Sequence, residues 1–284
     1  EISLGLVGSE MCIRDRNIPA LDPKVLGLVT EISKEPKVEA AIAFIKDQTE
    51  VAMLEQIELC EIEAPTFHEE KRAASVAERM RQYGLTDVHI DEIGNVIGIR
   101  KGSGNGPVLA IGAHMDSVFP AGTDVKVKKE GNIYRAPGIG DNCSGLRALL
   151  QVLRALEKED IRTVGDIWFV GTVGEEGNGD IRGSKHLCAN NKLDGFVAID
   201  STDVGRVLYG AVGSHRWRLA VDGTGGHSFA DFGKTPSAIH AVCRAGNIIA
   251  DIKVPEDPKT TFTIGTIKGG TTVNTTVSYT HLTL

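Results

Sequence analysis

The chain has 284 residues, 41% of them hydrophobic, so it is long enough to bury a large core and to form two domains. Its formal net charge is −7 and it carries no dense Lys/Arg stripe, which argues against nucleic acid as a partner because phosphate binding needs a basic surface. No apolar run approaches the roughly 20 residues that span a bilayer, so we expect no membrane association.

The ends and the cysteines give weaker information. Residues 1–16 and 277–284 resemble translated adapter DNA, and we expect neither segment to take part in the fold. The five cysteines are scattered and lack C-x-x-C spacing, which disfavours a disulfide framework or a thiolate zinc site. A reducing compartment, the cytoplasm, is therefore expected, and export stays open as an alternative.

Hydrophobic periodicity predicts an α/β fold for residues 17–213. Apolar residues at helical spacing cover residues 37–61 and 69–83, the second run ending at Gly84. Further runs predict strands at 88–90, 96–99, 108–112, 167–172 and 196–199, with helices at 146–157 and 184–190. Apolar strands that alternate with helices indicate a mainly parallel sheet covered on both faces.

A second, smaller α+β domain is predicted for residues 214–276. It begins with a strand at 216–221, and a helix follows, with Thr235 as its N-cap, Pro236 at its first position and its end near 252. Residues 261–267 are predicted as the next strand.

Three of the predicted parallel strands end in acids or a histidine, and another acid precedes a helix. The carboxyl ends of such strands line the ligand crevice of open α/β sheets, so these side chains can converge. Several carboxylates in one cleft are unfavourable unless cations neutralise them, and a divalent metal is the simplest explanation. The residues are His114, Asp116, Asp141, Glu175, Glu176 and Asp200.

Each of these residues has an ordinary interpretation when taken alone. Asp141 could be a helix cap or turn residue, and Asp200 a loop acid. In the H-x-D pattern, however, Asp116 lies on the same strand face as His114 and can bind the ring nitrogen that holds no metal. Glu175 and Glu176 point in different directions, so one can bind metal while the other faces a metal-bound water.

Glycine-rich segments at 138–140 and 171–177 suggest a phosphate or dinucleotide site as a rival. Neither segment fits G-x-G-x-x-G after the first strand or G-x-x-x-x-G-K-[ST], and carboxylates in these loops would repel phosphate. The phosphate interpretation is therefore disfavoured.

The ordered motifs H-x-D, G-x-G-D-N, G-E-E-G and a strand-ending Asp resemble clan MH, the cocatalytic dinuclear-zinc exopeptidases and amidohydrolases. Within it the chain is similar to metallopeptidase family twenty, which holds peptidase T-like aminopeptidases, carboxypeptidase G, aminoacylases and acetylornithine deacetylase. The resemblance covers residues 57–275. It implies a catalytic domain at 17–213 and part of a lid or dimerisation domain at 214–276.

The resemblance also implies roles for the site residues. His114 and Asp200 would bind one zinc, Glu176 the other, and Asp141 would bridge both, with a cis peptide bond after it. Glu175 would be the general base and Asp116 would orient His114. Two Zn²⁺ ions, replaceable by Co²⁺ or Mn²⁺, would activate water and polarise the scissile carbonyl.

The implied reaction is hydrolysis of a peptide amide bond by an exopeptidase. N-acyl amino-acid deacylation by the same machinery is the alternative. A catalytically silent metal- or peptide-binding homologue is disfavoured by Glu175, which a pure binder does not need. A structural oligomerisation module would make the strand-end acids mere surface features.

In the lid, Gly225-Gly226-His227-Ser228 resembles the segment whose histidine reaches the partner subunit's active site in dimeric members, where it stabilises an oxyanion. The resemblance of this segment implies a homodimer through the lid domain. Asn274 resembles a substrate-contacting asparagine of the lid. Relatives close the second zinc site with a later histidine. We reject His281 for that role because it lies in the adapter-like tail, and we expect the 284-residue chain to be inactive while its parent protein is active.

Overall fold

The computed structural model describes residues 2–7, 22–200, 207–208 and 213–284. The chain forms two compact units, a larger one of residues 20–206 and a smaller one of residues 207–284 with residues 1–19. This division lies close to the boundary predicted at residue 213. Within the described residues, no helix is both long and apolar enough to cross a membrane.

Helices and strands are numbered here in chain order. The helices are α1 Pro23–Ser33, α2 Pro36–Asp47, α3 Thr49–Cys60, α4 Glu70–Gln82, α5 Cys143–Lys158, α6 Arg182–Asn190 and α7 Ala238–Ala250. The strands are β1 Ile2–Val7, β2 Asp87–Ile90, β3 Val96–Arg100, β4 Leu109–His114, β5 Lys128–Glu130, β6 Ile133–Arg135, β7 Ile167–Thr172, β8 Gly195–Ala198, β9 Arg216–Asp222, β10 Gly226–His227, β11 Thr266–Gly269, β12 Thr275–Thr276 and β13 Tyr279–Thr283.

The larger unit is built on a five-stranded sheet in the order β2-β3-β7-β4-β8. Strands β7, β4 and β8 are parallel, whereas β2 pairs antiparallel with β3 and β3 antiparallel with β7. The predicted α/β fold is confirmed, but the sheet is mixed rather than mainly parallel. The short turn between β2 and β3, where the Asp91 side chain accepts three backbone N–H bonds, can join only antiparallel strands.

Helices cover both faces of this sheet, as the apolar strands predicted. On one face, α4 and α5 pack against residues such as Met115 and Phe169. On the other face, Leu187 of α6 packs against Ala110 and Val170. The sheet is therefore anchored between two apolar layers, and the loops that follow its strands are held by a rigid scaffold.

Several predicted boundaries differ from the structure. The helix expected over residues 37–61 is two helices, α2 and α3, which meet at Gln48. Helix α4 ends as predicted before Gly84, whose φ of +102° favours glycine. Helix α7 has Ser237 as its N-cap, not Thr235, and the Ala238 N–H bonds to the Val277 carbonyl.

The smaller unit contains an antiparallel sheet in the order β1-β9-β13-β11. The strand predicted at 261–267 forms at 266–269 instead, because its pairing with β13 sets its extent. Both terminal segments contribute strands, β1 and β13, contrary to the expectation that neither takes part in the fold. In β13, successive side chains point to opposite faces of the sheet, and those of Thr280 and Leu282 are buried. This pattern suits an internal strand.

A buried carboxylate in the larger unit predicts a pH-dependent stability. Burial raises the pKa of Glu55 on α3, although the Tyr83 hydroxyl and Arg79 oppose this. Its Oε2 has no hydrogen-bond partner among the described residues. Because its pKa is higher in the folded state, Glu55 contributes most to the free energy of unfolding below its unfolded-state pKa. That contribution is lost as the pH rises through the folded-state pKa. Glu55→Gln should therefore raise the free energy of unfolding at pH 7 in urea titrations, and the gain should shrink towards pH 4.5. Glu58→Gln, at an exposed position on the same helix, is the control, and an equal gain there would contradict the prediction.

Candidate functional site

The predicted site residues of the larger unit lie at one edge of its sheet. His114 ends β4, and Glu175 and Glu176 follow β7 by three and four residues. Asp200 follows β8 by two residues, and Asp141 lies just ahead of α5. Because β4, β7 and β8 are parallel neighbours, their carboxyl ends bring these side chains to the same place.

His114 is held between acids on both sides of its ring. Its Nδ1 lies 3.1 Å from the Asp116 carbonyl oxygen and 3.4 Å from the Asp116 Oδ1. Its Nε2 lies 2.9 Å from Asp141 Oδ1 and 3.9 Å from Asp200 Oδ1. If His114 donates its Nδ1–H to Asp116, its Nε2 has only a lone pair and can only accept. The Asp141 carboxylate is also an acceptor, so the 2.9 Å distance between Nε2 and Oδ1 is favourable only with a cation between the two atoms.

A proton or a metal ion could serve as that cation. Burial by itself would lower the pKa of His114, but the hydrogen bond and charge of Asp116, with Asp200 and Glu175, raise it to about 9. Asp141 and Asp200 are solvent-accessible, with side chains 64% and 43% exposed, so an ion can reach the open side of the ring.

The Asp116 carboxylate is fully buried and joins two of the strand ends. Its Oδ1 accepts the Glu175 N–H at 2.9 Å, and its Oδ2 accepts the Glu176 N–H at 3.0 Å and the Thr66 hydroxyl at 2.9 Å. Burial opposes ionisation, but the hydrogen bonds from His114 and the two backbone amides outweigh it and hold the pKa of Asp116 below its usual value. Asp116 therefore orients both the imidazole and the loop that follows β7.

The two glutamates of that loop are partly buried beside other acids. Burial raises the pKa of Glu175, and the charges of Asp200, Asp116 and Asp141 add to this effect against the pull of His114. Burial also raises the pKa of Glu176, helped by Asp141 and Glu175. This mutual repulsion among carboxylates is the electrostatic condition that a divalent cation relieves.

Two groups of side chains in the described residues have ligand atoms within 4.8 Å of one another. One is His114 with Asp141 and Asp200, and the other is His114 with Glu175 and Glu176. An imidazole with carboxylates is a donor set that suits Zn²⁺ and also Co²⁺ or Mn²⁺. The residues present therefore fit a divalent transition metal.

The neighbour of Asp141 ties that residue to the adjacent strand. The Asp141–Asn142 peptide bond is cis, as predicted. The Asn142 side chain caps α5 through the Gly145 N–H at 3.0 Å and donates to the Ile199 carbonyl at 2.9 Å. Asp141 and Asp200 are thus positioned by one hydrogen-bonded segment.

His227 and Asn274 lie together in the smaller unit. The Ser228 N–H bonds to the Asn274 carbonyl at 2.9 Å, and His227 pairs with Thr275 across β10 and β12. The His227 Nδ1 accepts backbone N–H groups from residues 229 and 230, so the proton of the neutral ring lies on Nε2. The exposed ring can therefore act as a hydrogen-bond donor.

Three residues that contact the site loops were not predicted. Thr66 binds Asp116, while Glu69 and Arg182 bind each other, and Glu69 also accepts the Gly174 N–H. The T-x-x-E spacing of Thr66 and Glu69 resembles a helix-capping box, which points to a cap and not to a site. Nothing in the local sequence links either residue to Arg182, more than 110 positions away.

Comparison with known proteins agrees with this fold. The sequence profile described as Peptidase family M20/M25/M40 matches residues 110–275, more than half of the chain. The chain therefore belongs to this peptidase family, which confirms the resemblance drawn from its motifs.

Individual relatives are similar over part of their length. A proposed LysW-lysine/LysW-ornithine hydrolase of Pyrococcus abyssi is 35% identical over 120 residues, which are 42% of this chain and 32% of that protein. The crystal structure of a Staphylococcus aureus tripeptidase has a TM-score of 0.59 at 28% identity, covering 82% of this chain and 64% of that one. A Bacillus subtilis structure described as a dinuclear metal-binding peptidase of family M20 has a TM-score of 0.53 at 16% identity, covering 84% and 64%. The chain thus spans less than two thirds of the length of these relatives.

Proposed function

We propose that the whole protein hydrolyses peptide amide bonds as a metal-dependent exopeptidase. The observation that carries this proposal is the position of Glu175, a partly buried carboxylate with an oxygen within 4.8 Å of ligand atoms of His114 and Glu176. Family membership and the likeness to a tripeptidase support it.

Two Zn²⁺ ions are the proposed cofactors, with Co²⁺ or Mn²⁺ as substitutes. His114 and Asp200 would hold one ion, Glu176 the other, and Asp141 would be shared between them. When bound, the metal would supply Lewis acidity toward the amide carbonyl and toward water. Asp116 would keep the His114 Nδ1 protonated, so that Nε2 stays available as a ligand.

Glu175 is the proposed general base and then general acid. Its carboxylate would take a proton from the attacking water as the water oxygen bonds to the scissile carbonyl carbon. The same proton would pass to the leaving nitrogen as the C–N bond breaks, which yields an acid and an amine. A raised pKa suits both steps, because it brings the carboxylate closer to the pH at which it must accept and release a proton.

The smaller unit is proposed to complete the site in a homodimer. His227 would donate its Nε2 hydrogen to the developing oxyanion of a partner's substrate, and Asn274 would contact the substrate. The exposure of His227 and its fixed tautomer support this role. A cytoplasmic location stays a prediction.

The test of the proposal is Glu175→Gln in the whole protein, assayed with dipeptides, tripeptides and N-acyl amino acids. We expect peptide cleavage by the unmodified protein, and a loss of about 10²–10⁴-fold in kcat for the variant, the contribution of a general base. Metal content should be unchanged, because Glu175 is not a proposed ligand. Full activity of the variant would remove Glu175 from the mechanism.

N-acyl amino-acid deacylation is the second candidate. The Pyrococcus abyssi relative supports it, because that protein is named as a hydrolase of LysW-linked lysine and ornithine. The same substrate panel decides between the two, since a deacylase would cleave the N-acyl amino acids and leave the tripeptides intact.

A further inference from the structure

The backbone of the segment Gly174 to Glu176 has a partner at every N–H and C=O group. The three N–H groups donate to side-chain carboxylates, and the three carbonyls accept backbone N–H groups from the residues that lead into α6. The carboxylates belong to Glu69 and Asp116, and the N–H groups to Gly179, Ile181 and Arg182. Such a segment has little freedom, so the side chains of its two glutamates leave the backbone in set directions.

Glu69 is a buried acid that the proposed mechanism leaves unused. Its side chain is 4% exposed, and its Oε1 accepts the Gly174 N–H at 2.9 Å. Glu69 is the N-cap residue of α4, yet its side chain makes no capping bond. The carboxylate therefore bonds to the segment Gly174 to Glu176 and does not cap its own helix.

Arg182 holds Glu69 in this position. Its Nη2 lies 3.1 Å from both Glu69 oxygens, and its Nη1 donates to the Ile93 carbonyl at 2.8 Å. A Cβ on Gly174 would lie 2.4 Å from the Arg182 Nε, and the φ of Gly174 is +58°. Only glycine allows the guanidinium to approach the segment this closely.

We propose that Glu69, held by Arg182, is a positioning residue that presents Glu175 and Glu176 to the metal. The inference rests on the proposed function. Without the Glu69 bond, the amide of Gly174 would lose its buried acceptor, and the segment would lose one of the bonds that hold Glu175 and Glu176 beside the neighbouring acids. The Glu69–Arg182 pair, here called the clamp, thus positions the proposed base Glu175 and the proposed ligand Glu176 before metal or substrate binds.

The first readout uses the metal-free 284-residue chain. Hydrogen exchange of the amides of residues 174–176, followed by mass spectrometry, should be faster in Glu69→Ala by tenfold or more, since a buried bond is lost. Glu69→Gln keeps an oxygen that can accept the Gly174 N–H. Its exchange rate should therefore lie between those of the unmodified chain and Glu69→Ala. Glu70→Ala, at the exposed next position, is the matched control and should not differ from the unmodified chain.

The second readout is Co²⁺ affinity, measured by absorption titration and corrected for the folded fraction. Glu69→Ala should weaken Co²⁺ binding by about 10–100-fold, the usual effect of losing a residue that supports a metal ligand. Glu69→Gln should weaken it less. A residue that only stabilised the fold would lower the urea midpoint and leave the affinity of the folded molecules unchanged.

The two readouts separate the outcomes. If Glu69→Ala stays folded and shows unchanged exchange and unchanged Co²⁺ affinity, the positioning role is wrong even though the proposed function stands. If the unmodified chain binds no Co²⁺, the metal-dependent function fails, and exchange alone still tests the clamp. If Glu69→Ala does not fold, Glu69→Gln and Arg182→Lys decide the question, and unchanged exchange and affinity in both would overturn it.

Discussion

Asp141→Ala is expected to abolish stoichiometric zinc binding while the chain stays folded. Asp141 Oδ1 lies 2.9 Å from the His114 Nε2 and belongs to the candidate metal group with Asp200. Loss of a proposed direct ligand should cost more than the roughly 10–100-fold lost with a supporting residue. The change removes an exposed carboxylate from a cluster of like charges, so the fold has no reason to be lost. Elemental analysis gives zinc per chain, and circular dichroism gives the folded state.

Glu130→Ala serves as the control for that experiment. Glu130 is an exposed acid in the hairpin of β5 and β6, where it makes a surface ion pair with Arg135. We expect it to bind as much zinc as the unmodified chain. A folded chain that takes up no zinc in excess metal would contradict the metal-centre proposal, and so would full zinc binding by Asp141→Ala.

Arg72→Ala is expected to lower the free energy of unfolding by about 3 kcal/mol or more, because it removes hydrogen bonds from a buried charged group and leaves carbonyls unpaired. Arg72 on α4 is 1% exposed. Its Nη1 donates to the Met115 carbonyl at 2.7 Å, and its Nη2 donates to the Ile62 carbonyl at 2.5 Å. These bonds tie α4 to the residue that precedes Asp116, so the substitution should also loosen the site.

Urea denaturation at pH 7 measures this effect. Arg81→Ala is the matched control, since Arg81 lies on the same helix with a half-exposed side chain, a 3.1 Å bond to the Val88 carbonyl and a 4.0 Å ion pair with Glu78. We expect its change to stay within about 0.5 kcal/mol, which is usual for surface substitutions. Equal losses of unfolding free energy in the two variants would show that the Arg72 hydrogen bonds do not stabilise the contact between α4 and the end of β4.

Individual strands and their terminal residues were predictable because that information is local. A buried strand is a continuous apolar run, and residues such as His114 and Asp200 stand where those runs stop. Parallel strands share one carboxyl edge, so the convergence of these residues followed from the order of the elements. The H-x-D spacing likewise predicted the contact between Asp116 and His114, since alternate residues share a strand face.

Only the tertiary structure decided which distant residues support that edge. Glu69 reaches Gly174 across more than 100 positions, and Arg182 closes the same cluster, yet each would suit an exposed helix equally well by local sequence. The antiparallel pairing of β3 with β7, and the central place of β13 in the smaller sheet, also depend on partners far along the chain. Sequence by itself therefore determined the chemistry at the strand ends, because periodicity and residue type are local. The supporting network was decided by packing, because a buried polar group takes whichever partner the fold brings within reach.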